Sequence, residues 1–160
     1  MASVDNEVKR VNEELKKAMV RRVPNPGKYA TAIQGLTFSR RQEINKADNC
    51  FGKPSVAVIV QGSKCAIIGE RECRYAEGQY CITGVDLPSA FYVLNPSEEK
   101  PFLAVILELD GGLVSRLAAE MPPSSGRENG GCCGLSVGDS DADLLNCFLR
   151  LGELLDKPEQ

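Results

Sequence analysis

The fold is decided by residues 54–110, PSVAVIVQGSKCAIIGERECRYAEGQYCITGVDLPSAFYVLNPSEEKPFLAVILELD. Short apolar and β-branched runs recur here, and glycine, asparagine or aspartate soon follows each of them. The runs are VAVIV (56–60), KCAII (64–68), CRY (73–75), QYCIT (79–83), AFYVL (90–94) and FLAVILEL (102–109). Nothing between them is long enough for a crossover helix, so the pattern predicts an antiparallel sandwich or barrel over residues 28–111.

Helices are predicted on both sides of this β-region. Residues 1–23 carry apolar side chains every three or four positions, with Asp5 as the expected N-cap. After the last strand, residues 112–160 are expected to form C-terminal helices, the first over 113–120. A polar loop over residues 122–138 is predicted to be mobile.

The last helix is expected to begin near Ser140, with Asp143 at capping-box spacing. One apolar stripe on this helix is formed by Leu144, Phe148, Leu151 and Leu155. The whole apolar arc is wider than packing on one small barrel normally requires. Two interpretations stay open: the helix lies in a groove of its own domain, or the stripe is a homodimer interface.

The composition argues against several classes of protein. The chain has no histidine, which excludes a Ser-His-Asp triad, a Cys-His dyad and a histidine metal site. Its net charge of -3 argues against direct contact with nucleic acid. No apolar run is long enough to cross a bilayer, and the charged N-terminus lacks a secretion signal. We therefore expect a cytoplasmic domain without a membrane segment, metal or cofactor.

Seven cysteines are many for a chain of this length. An odd number and the missing signal segment argue against a secreted disulfide framework. The absence of any Cys-x-x-Cys motif argues against a metal site. We interpret most of these cysteines as small buried hydrophobic residues.

Several motifs carry a resemblance to a known family. They are Gln61-Gly62-x-Lys64, Gly69, Tyr75, Gly78-x-Tyr80 and Leu87-Pro88, flanked by Thr31-x-Ile33-x-Gly35-Leu36 and by Leu154-Leu155-Asp156-x-Pro158. In order and spacing they resemble the N-terminal domain of AraC-type bacterial transcription regulators, a cupin-like double-stranded β-helix, over residues 28–160. The resemblance implies a domain that senses a small-molecule effector, mediates dimerisation, or does both. It also implies a helix-turn-helix DNA-binding half that this chain does not include.

The positions that hold metal in cupins carry other residues here. By this resemblance they fall near Asn49, Phe51, Ser55 and Ser89, and none of these is a strong metal ligand. Strand alternation then predicts which side chains face the interior instead. The predicted ligand-binding residues are Phe51, Ser55, Ala57, Ile59, Ser89 and Phe91 from these positions and this alternation, together with Lys64, Cys81 and Tyr92 for their functional groups. The alternative is that these side chains simply fill a closed core.

Two of these residues have reactive groups. Lys64 could meet a carbonyl effector if it is buried, although a lysine beside a turn is more often solvated. Cys81 could act as a redox or electrophile sensor, which requires an accessible thiolate. Tyr92 offers a hydroxyl group to a ligand.

Two rival functions remain at this stage. A metal-free cupin isomerase would need a carboxylate inside the barrel. The candidates are Glu70, Glu72, Glu77 and Asp86, which all lie in or beside predicted turns. A structural scaffold that only pairs subunits would need a filled barrel and a stable dimer.

Overall fold

The computed structural model describes residues 2–43, 48–83, 87–120 and 134–157. Two antiparallel sheets form the body of this part of the chain. The larger sheet contains, in spatial order, β1 (Gly27–Ala30), β2 (Leu36–Arg41), β9 (Phe102–Glu108), β4 (Ser55–Gln61), β7 (Gln79–Thr83) and β10 (Leu135–Asp139). The smaller sheet contains β3 (Asp48–Gly52), β8 (Leu87–Leu94), β5 (Ser63–Ile68) and β6 (Arg71–Ala76).

The chain crosses between the sheets at tight turns that only glycine forms easily. Gly62 joins β4 to β5 with φ of 88°, and Gly78 joins β6 to β7 with φ of 87°. Both values lie in the left-handed region, where a Cβ atom is strained. A Cβ at Gly62 would also lie 3.3 Å from Cα of Phe102 on β9. These two glycines therefore let consecutive strands belong to opposite sheets.

Two helices cover the outer face of the larger sheet. They are α1 (Ala2–Arg22) and α3 (Ala142–Leu155). Their apolar faces form one core with outward-facing residues of that sheet, and the buried members are Val11, Leu15, Met19, Val23, Leu36, Phe38, Val58, Val60, Leu103, Val105, Leu145 and Phe148. Burial of such side chains is the main stabilising contribution to a domain of this size.

The predicted dimer stripe on α3 packs largely within its own domain. Phe148 is 4% exposed and belongs to the core beneath the helices, so it is not available to a partner. Leu144, Leu151 and Leu155 are half-buried and pack against the same core. Of the two interpretations left open by the sequence, these contacts favour the helix in a groove of its own domain, because α1 covers the wide apolar arc.

The helix starts differ from those expected. The N-cap of α3 is Asp141, whose carboxylate accepts a hydrogen bond of 2.8 Å from the backbone N–H of Leu144. The predicted start near Ser140 is therefore right to within a residue, but the cap is Asp141 and not Ser140, so Asp143 lies in the first turn without the predicted capping-box spacing. Helix α1 already begins at Ala2, which places Asp5 in its first turn and makes the expected N-cap wrong.

This cap gives a direct stability prediction. We expect Asp141→Ala to lower the free energy of unfolding by about 1 kcal/mol, because the N–H of Leu144 loses its acceptor. Asp143→Ala is the matched control and should cost clearly less, since Asp143 contributes only its charge near the helix N-terminus. Urea unfolding of both variants measures the difference. Equal losses would contradict the assignment of the cap to Asp141.

One strand lies where a loop was predicted. Residues 135–138, the last part of the loop predicted over 122–138, belong to β10, which pairs with β7 from Leu135 opposite Thr83 to Asp139 opposite Gln79. The β-region therefore includes a strand far beyond residue 111. Residues 122–133 of the predicted loop lie outside the described residues.

The remaining helix, α2 (Gly111–Glu120), follows β9. Its large apolar residues Leu113, Val114 and Leu117 are 45%, 40% and 51% exposed. Within the described ranges, no helix has the length and apolar character needed to span a membrane.

Candidate functional site

The space between the two sheets is lined by a second cluster of side chains. Its buried members come from both sheets and are Ile59, Ala66, Cys73, Tyr75, Cys81, Val93, Phe102, Ala104 and Leu135. Phe91, Ile68 and Val137 are half-buried and pack against them. The interior is therefore mainly apolar, as sites for small organic molecules usually are.

One end of this interior is packed more tightly than the other. Ile59 and Phe102 are 1% and 2% exposed, and they lie near the Gly62 turn. Ala57 and Ser55 share the face of Ile59 by strand alternation, but both are half-buried. The interior is thus closed at the Ile59 end and more accessible toward Ser55.

Lys64 brings a positive charge into this space. It lies on β5 directly opposite the buried residues Tyr75 and Val93, so it shares their face of the smaller sheet. Its ammonium nitrogen Nζ is 4.0 Å from the centroid of the Phe91 ring. Contact with the electron-rich ring face stabilises a cation where water is scarce. A lysine next to a turn is therefore directed inward here.

Cys81 lies on the opposite wall, within electrostatic reach of Lys64. Burial raises the pKa of its thiol to about 12, although the Lys64 charge acts in the opposite direction. Burial also raises the pKa of the Tyr75 hydroxyl, and the neighbouring thiols of Cys81 and Cys73 add to that effect. Cys81 is thus an interior residue as predicted, but its thiol is protonated at neutral pH. This protonation argues against a thiolate sensor.

Tyr92 does not line the interior, contrary to the prediction. It alternates on β8 with Phe91 and Val93, which pack in the interior cluster, so it points to the opposite face. There it lies across the ladder from Cys65, and a hydrogen bond with that thiol raises the pKa of the Tyr92 hydroxyl. A ligand between the sheets would not reach this hydroxyl.

Two other predicted residues are described only by their strand positions. Phe51 on β3 pairs with Pro88, whereas Ser89 pairs with Cys50. The two predicted residues therefore occupy alternating positions of the β3–β8 ladder and are not opposite each other. Their side chains lie outside the described part of the structure, and their contact with a ligand stays a prediction.

The carboxylates that an isomerase would need are on the surface. Glu70, Glu72 and Glu77 are all exposed. Glu77 also accepts hydrogen bonds from Asn12 and Lys16 of α1, outside the barrel. Asp86 lies outside the described residues. None of the three described carboxylates lies inside the barrel, where an isomerase would need one.

The sequence analysis missed several buried interior residues, among them Phe102, Ala104 and Cys73. Phe102 and Ala104 belong to the run FLAVILEL, which is apolar on both faces, so alternation could not show which residues point inward. Cys73 lies in CRY, and its alternation with Arg74 was a usable signal. Together these residues make the interior more apolar than predicted.

The similarity to known proteins extends over most of the chain. The sequence matches the family of AraC-type transcriptional regulator N-termini over residues 32–160. This chain belongs to that family. The AraC-type assignment and the two-sheet barrel agree with the resemblance seen in the sequence, and the fold is a cupin-like β-barrel with flanking helices. No curated protein sequence matches the chain.

Solved structures similar to this AraC-type domain include ToxT from Vibrio cholerae. An apo form of a ToxT variant matches with a TM-score of 0.54 and 12% identity, covering 82% of this chain and 50% of that chain. A second ToxT structure matches with a TM-score of 0.53 and 7% identity, covering 78% and 46% respectively. At such identities the likeness concerns the fold. The chain spans about half the length of these ToxT chains.

Proposed function

We propose that this domain is the effector-sensing half of an AraC-type transcription regulator and binds a small organic molecule between its two sheets. The observation that carries the proposal is the Lys64 ammonium over the Phe91 ring, in a mainly apolar interior. Such an interior binds the apolar body of a ligand, and one charged group orients its polar end. Ser55 and Ala57, on the accessible side, would contact the same ligand.

In this proposal the domain belongs to a longer regulator that contacts DNA through a separate helix-turn-helix half, as the resemblance to AraC-type regulators implies. The net charge of -3 favours DNA contact through that half and not through this domain. We place the parent in the cytoplasm as a homodimer.

A route from the interior to the helices runs through the turn between β6 and β7. Glu77 in this turn accepts hydrogen bonds from Asn12 and Lys16 of α1, at 3.3 and 3.2 Å. The carbonyl of the next residue, Gly78, accepts a hydrogen bond of 2.8 Å from the backbone N–H of Ser140, which lies just before α3. Because β6 and β7 carry Tyr75 and Cys81 in the interior, a ligand that shifts these strands shifts both helices.

This coupling acts as a switch only under one condition. The effector must bind one arrangement of the helices more tightly than the other, since equal affinity shifts nothing. The DNA-binding half would respond to the position of α3.

A thermal-shift screen tests the proposal. Small carbonyl compounds, sugars and aromatic acids are added to the domain, and hits are repeated on Lys64→Met and Arg74→Met. A ligand at 100 times its Kd adds about 2.7 kcal/mol to the free energy of unfolding. We expect Lys64→Met to lose most of that gain, because the cation beside Phe91 is removed.

Arg74→Met is the matched control for this screen. It also replaces a cation by methionine on the smaller sheet, but Arg74 is exposed and alternates with the interior residues Cys73 and Tyr75. The Arg74→Met variant should keep the full ligand-induced gain in the free energy of unfolding. If a ligand stabilises both variants equally, it binds elsewhere in the domain. If the screen gives no hits and the domain stays a dimer throughout, the result favours the pairing scaffold.

A further inference from the structure

A cleft of about 460 Å³ lies at one edge of the larger sheet, and none of its lining residues belongs to the interior cluster. It is lined by Pro26, Gly27, Lys28, Arg40, Arg41, Gln42 and Glu43. Strand β1 is the outermost strand of this sheet, and its pairing with β2 starts at Gly27 opposite Arg40. Because β2 is the single neighbour of β1 among the described strands, long side chains from both faces of this ladder reach the cleft.

This cleft concentrates positive charge in a chain whose net charge is -3. Its lining includes the basic side chains of Lys28, Arg40 and Arg41, against one acidic side chain, that of Glu43. Lys28 and Arg40 form no ion pair within the part of the chain that the structure describes. A concave surface with this excess of cations attracts an anion.

The guanidinium of Arg40 is half-buried and is held in place by uncharged acceptors. Its Nη1 donates a 2.8 Å hydrogen bond to the backbone carbonyl of Val23, directly after α1. The side-chain oxygen of Gln42 accepts hydrogen bonds from Nε and Nη2, at 3.3 and 3.1 Å. Since a guanidinium has five N–H donors, one N–H on each terminal nitrogen has no acceptor among the described residues. Such N–H groups bind the oxygens of carboxylates and phosphates.

We infer that this cleft binds the phosphate group of a small phosphate monoester. Arg40 supplies N–H donors in a fixed geometry, and Lys28 supplies a flexible ammonium group. A phosphate monoester carries more negative charge and more acceptor oxygens than a carboxylate, so it matches several cations better. The cleft is larger than one phosphate group, which leaves room for the organic part of the ester.

The inferred site is separate from the effector site proposed between the two sheets. It also differs from a DNA-binding surface, because a duplex backbone requires many cations and this chain has a net charge of -3. The hydrogen bond from Arg40 to the Val23 carbonyl connects the cleft to the segment that follows α1.

Isothermal titration of the whole 160-residue chain with phenyl phosphate tests the inference. We expect Arg40→Gln to raise the Kd by about tenfold or more, and Lys28→Met by about threefold to tenfold, because each removes a charged donor. Glu43→Gln should lower the Kd by about threefold, since it removes a carboxylate that repels the ligand. A damaged fold would not produce this opposite change.

Control variants separate the cleft from general effects of charge and stability. Lys9→Met also removes one positive charge, from an exposed position on α1 outside the cleft, and it should leave the Kd unchanged. Arg40→Gln additionally loses the hydrogen bond to Val23, so its thermal midpoint is measured as well. If this variant does not fold, Lys28→Met and Glu43→Gln decide, because both positions are exposed.

Two further probes identify the source of the phosphate group. Inorganic phosphate should compete with phenyl phosphate, and an absence of competition would mean that the ring is bound instead of the phosphate. Phosphatidylcholine vesicles that contain phosphatidic acid are sedimented with the protein. Co-sedimentation that Lys28→Met abolishes assigns the phosphate to a lipid headgroup, whereas protein that stays in solution assigns it to a soluble ester.

Two other outcomes would overturn the inference. One is a native chain that binds none of the three probes, and the other is a Kd that neither Lys28→Met nor Glu43→Gln changes. Lys64→Met should leave the Kd for phenyl phosphate unchanged. A failure at this cleft therefore does not affect the effector proposal, and an effector screen without hits does not affect this one.

Discussion

Cys81 is expected to react with iodoacetamide about a thousandfold more slowly at pH 8 in the folded domain than in the urea-unfolded chain. The reacting species is the thiolate, and burial raises the thiol pKa from 9.0 to about 12 in the fold. At pH 8 this shift lowers the thiolate fraction by about three powers of ten. Mass spectrometry of the Cys81 peptide after timed alkylation gives both rates.

Cys147 is the internal control, because it is exposed on α3 and reacts in the same sample. Its rates in the two states should differ far less than those of Cys81. If Cys81 in the folded domain is alkylated as fast as Cys147, its thiol is accessible and ionised. The interior would then suit an electrophile sensor.

The same shift has a consequence for stability at alkaline pH. Between pH 9 and 12 the unfolded chain loses the Cys81 proton while the folded chain keeps it, so the unfolded state binds fewer protons. The free energy of unfolding therefore falls as pH rises through this range. The raised pKa of Tyr75 acts in the same direction.

The sequence predicted most of the barrel because its turns and its alternation agree. The runs 56–60, 64–68 and 79–83 each lie inside a strand, and Gly62 and Gly78 form the turns that connect the two sheets. Such local signals are sufficient where consecutive strands are joined by a few residues.

Strand β10 shows where this kind of inference fails. Its residues Leu135–Asp139 contain only one fully buried side chain, Leu135, and end in glycine and aspartate. Its partner, β7, lies more than fifty residues earlier in the chain, so the pairing is a tertiary contact without a local signature. A short edge strand of this kind looks like a loop in the sequence.

The site was predicted in part for a related reason. Alternation from Ile59 predicts that Ser55 and Ala57 share its face, and Ala57 lies opposite the interior residue Cys81. Alternation from Ala66 in turn predicts that Lys64 lies on the inner face of the smaller sheet. Tyr92 offers a hydroxyl group, but it alternates with Phe91, and strand phase directs it to the other face. In such a barrel the position of a residue in the strand predicts the face of its side chain better than its functional group does.

Phe102→Ala is expected to lower the free energy of unfolding by about 3–5 kcal/mol. The ring is 2% exposed between the sheets, and it packs against the Gly62 turn, where a Cβ would lie 3.3 Å from it. Removing it leaves a cavity at the closed end of the interior, which the tight turn prevents from collapsing. For a domain of this size the thermal midpoint should fall by about 6–20 °C.

Leu117→Ala is the matched control for Phe102→Ala, since Leu117 is 51% exposed on α2. It should change the free energy of unfolding by less than about 0.5 kcal/mol.

The two variants together decide between a filled barrel and an open one. A loss near 4 kcal/mol at Phe102 means that this end is packed core, which leaves the region from Lys64 and Phe91 toward Ser55 for an effector. A loss below about 1 kcal/mol would mean that the ring lines empty space, because a loosely packed side chain has few contacts to lose. The ligand site would then extend through the whole interior, up to the Gly62 turn.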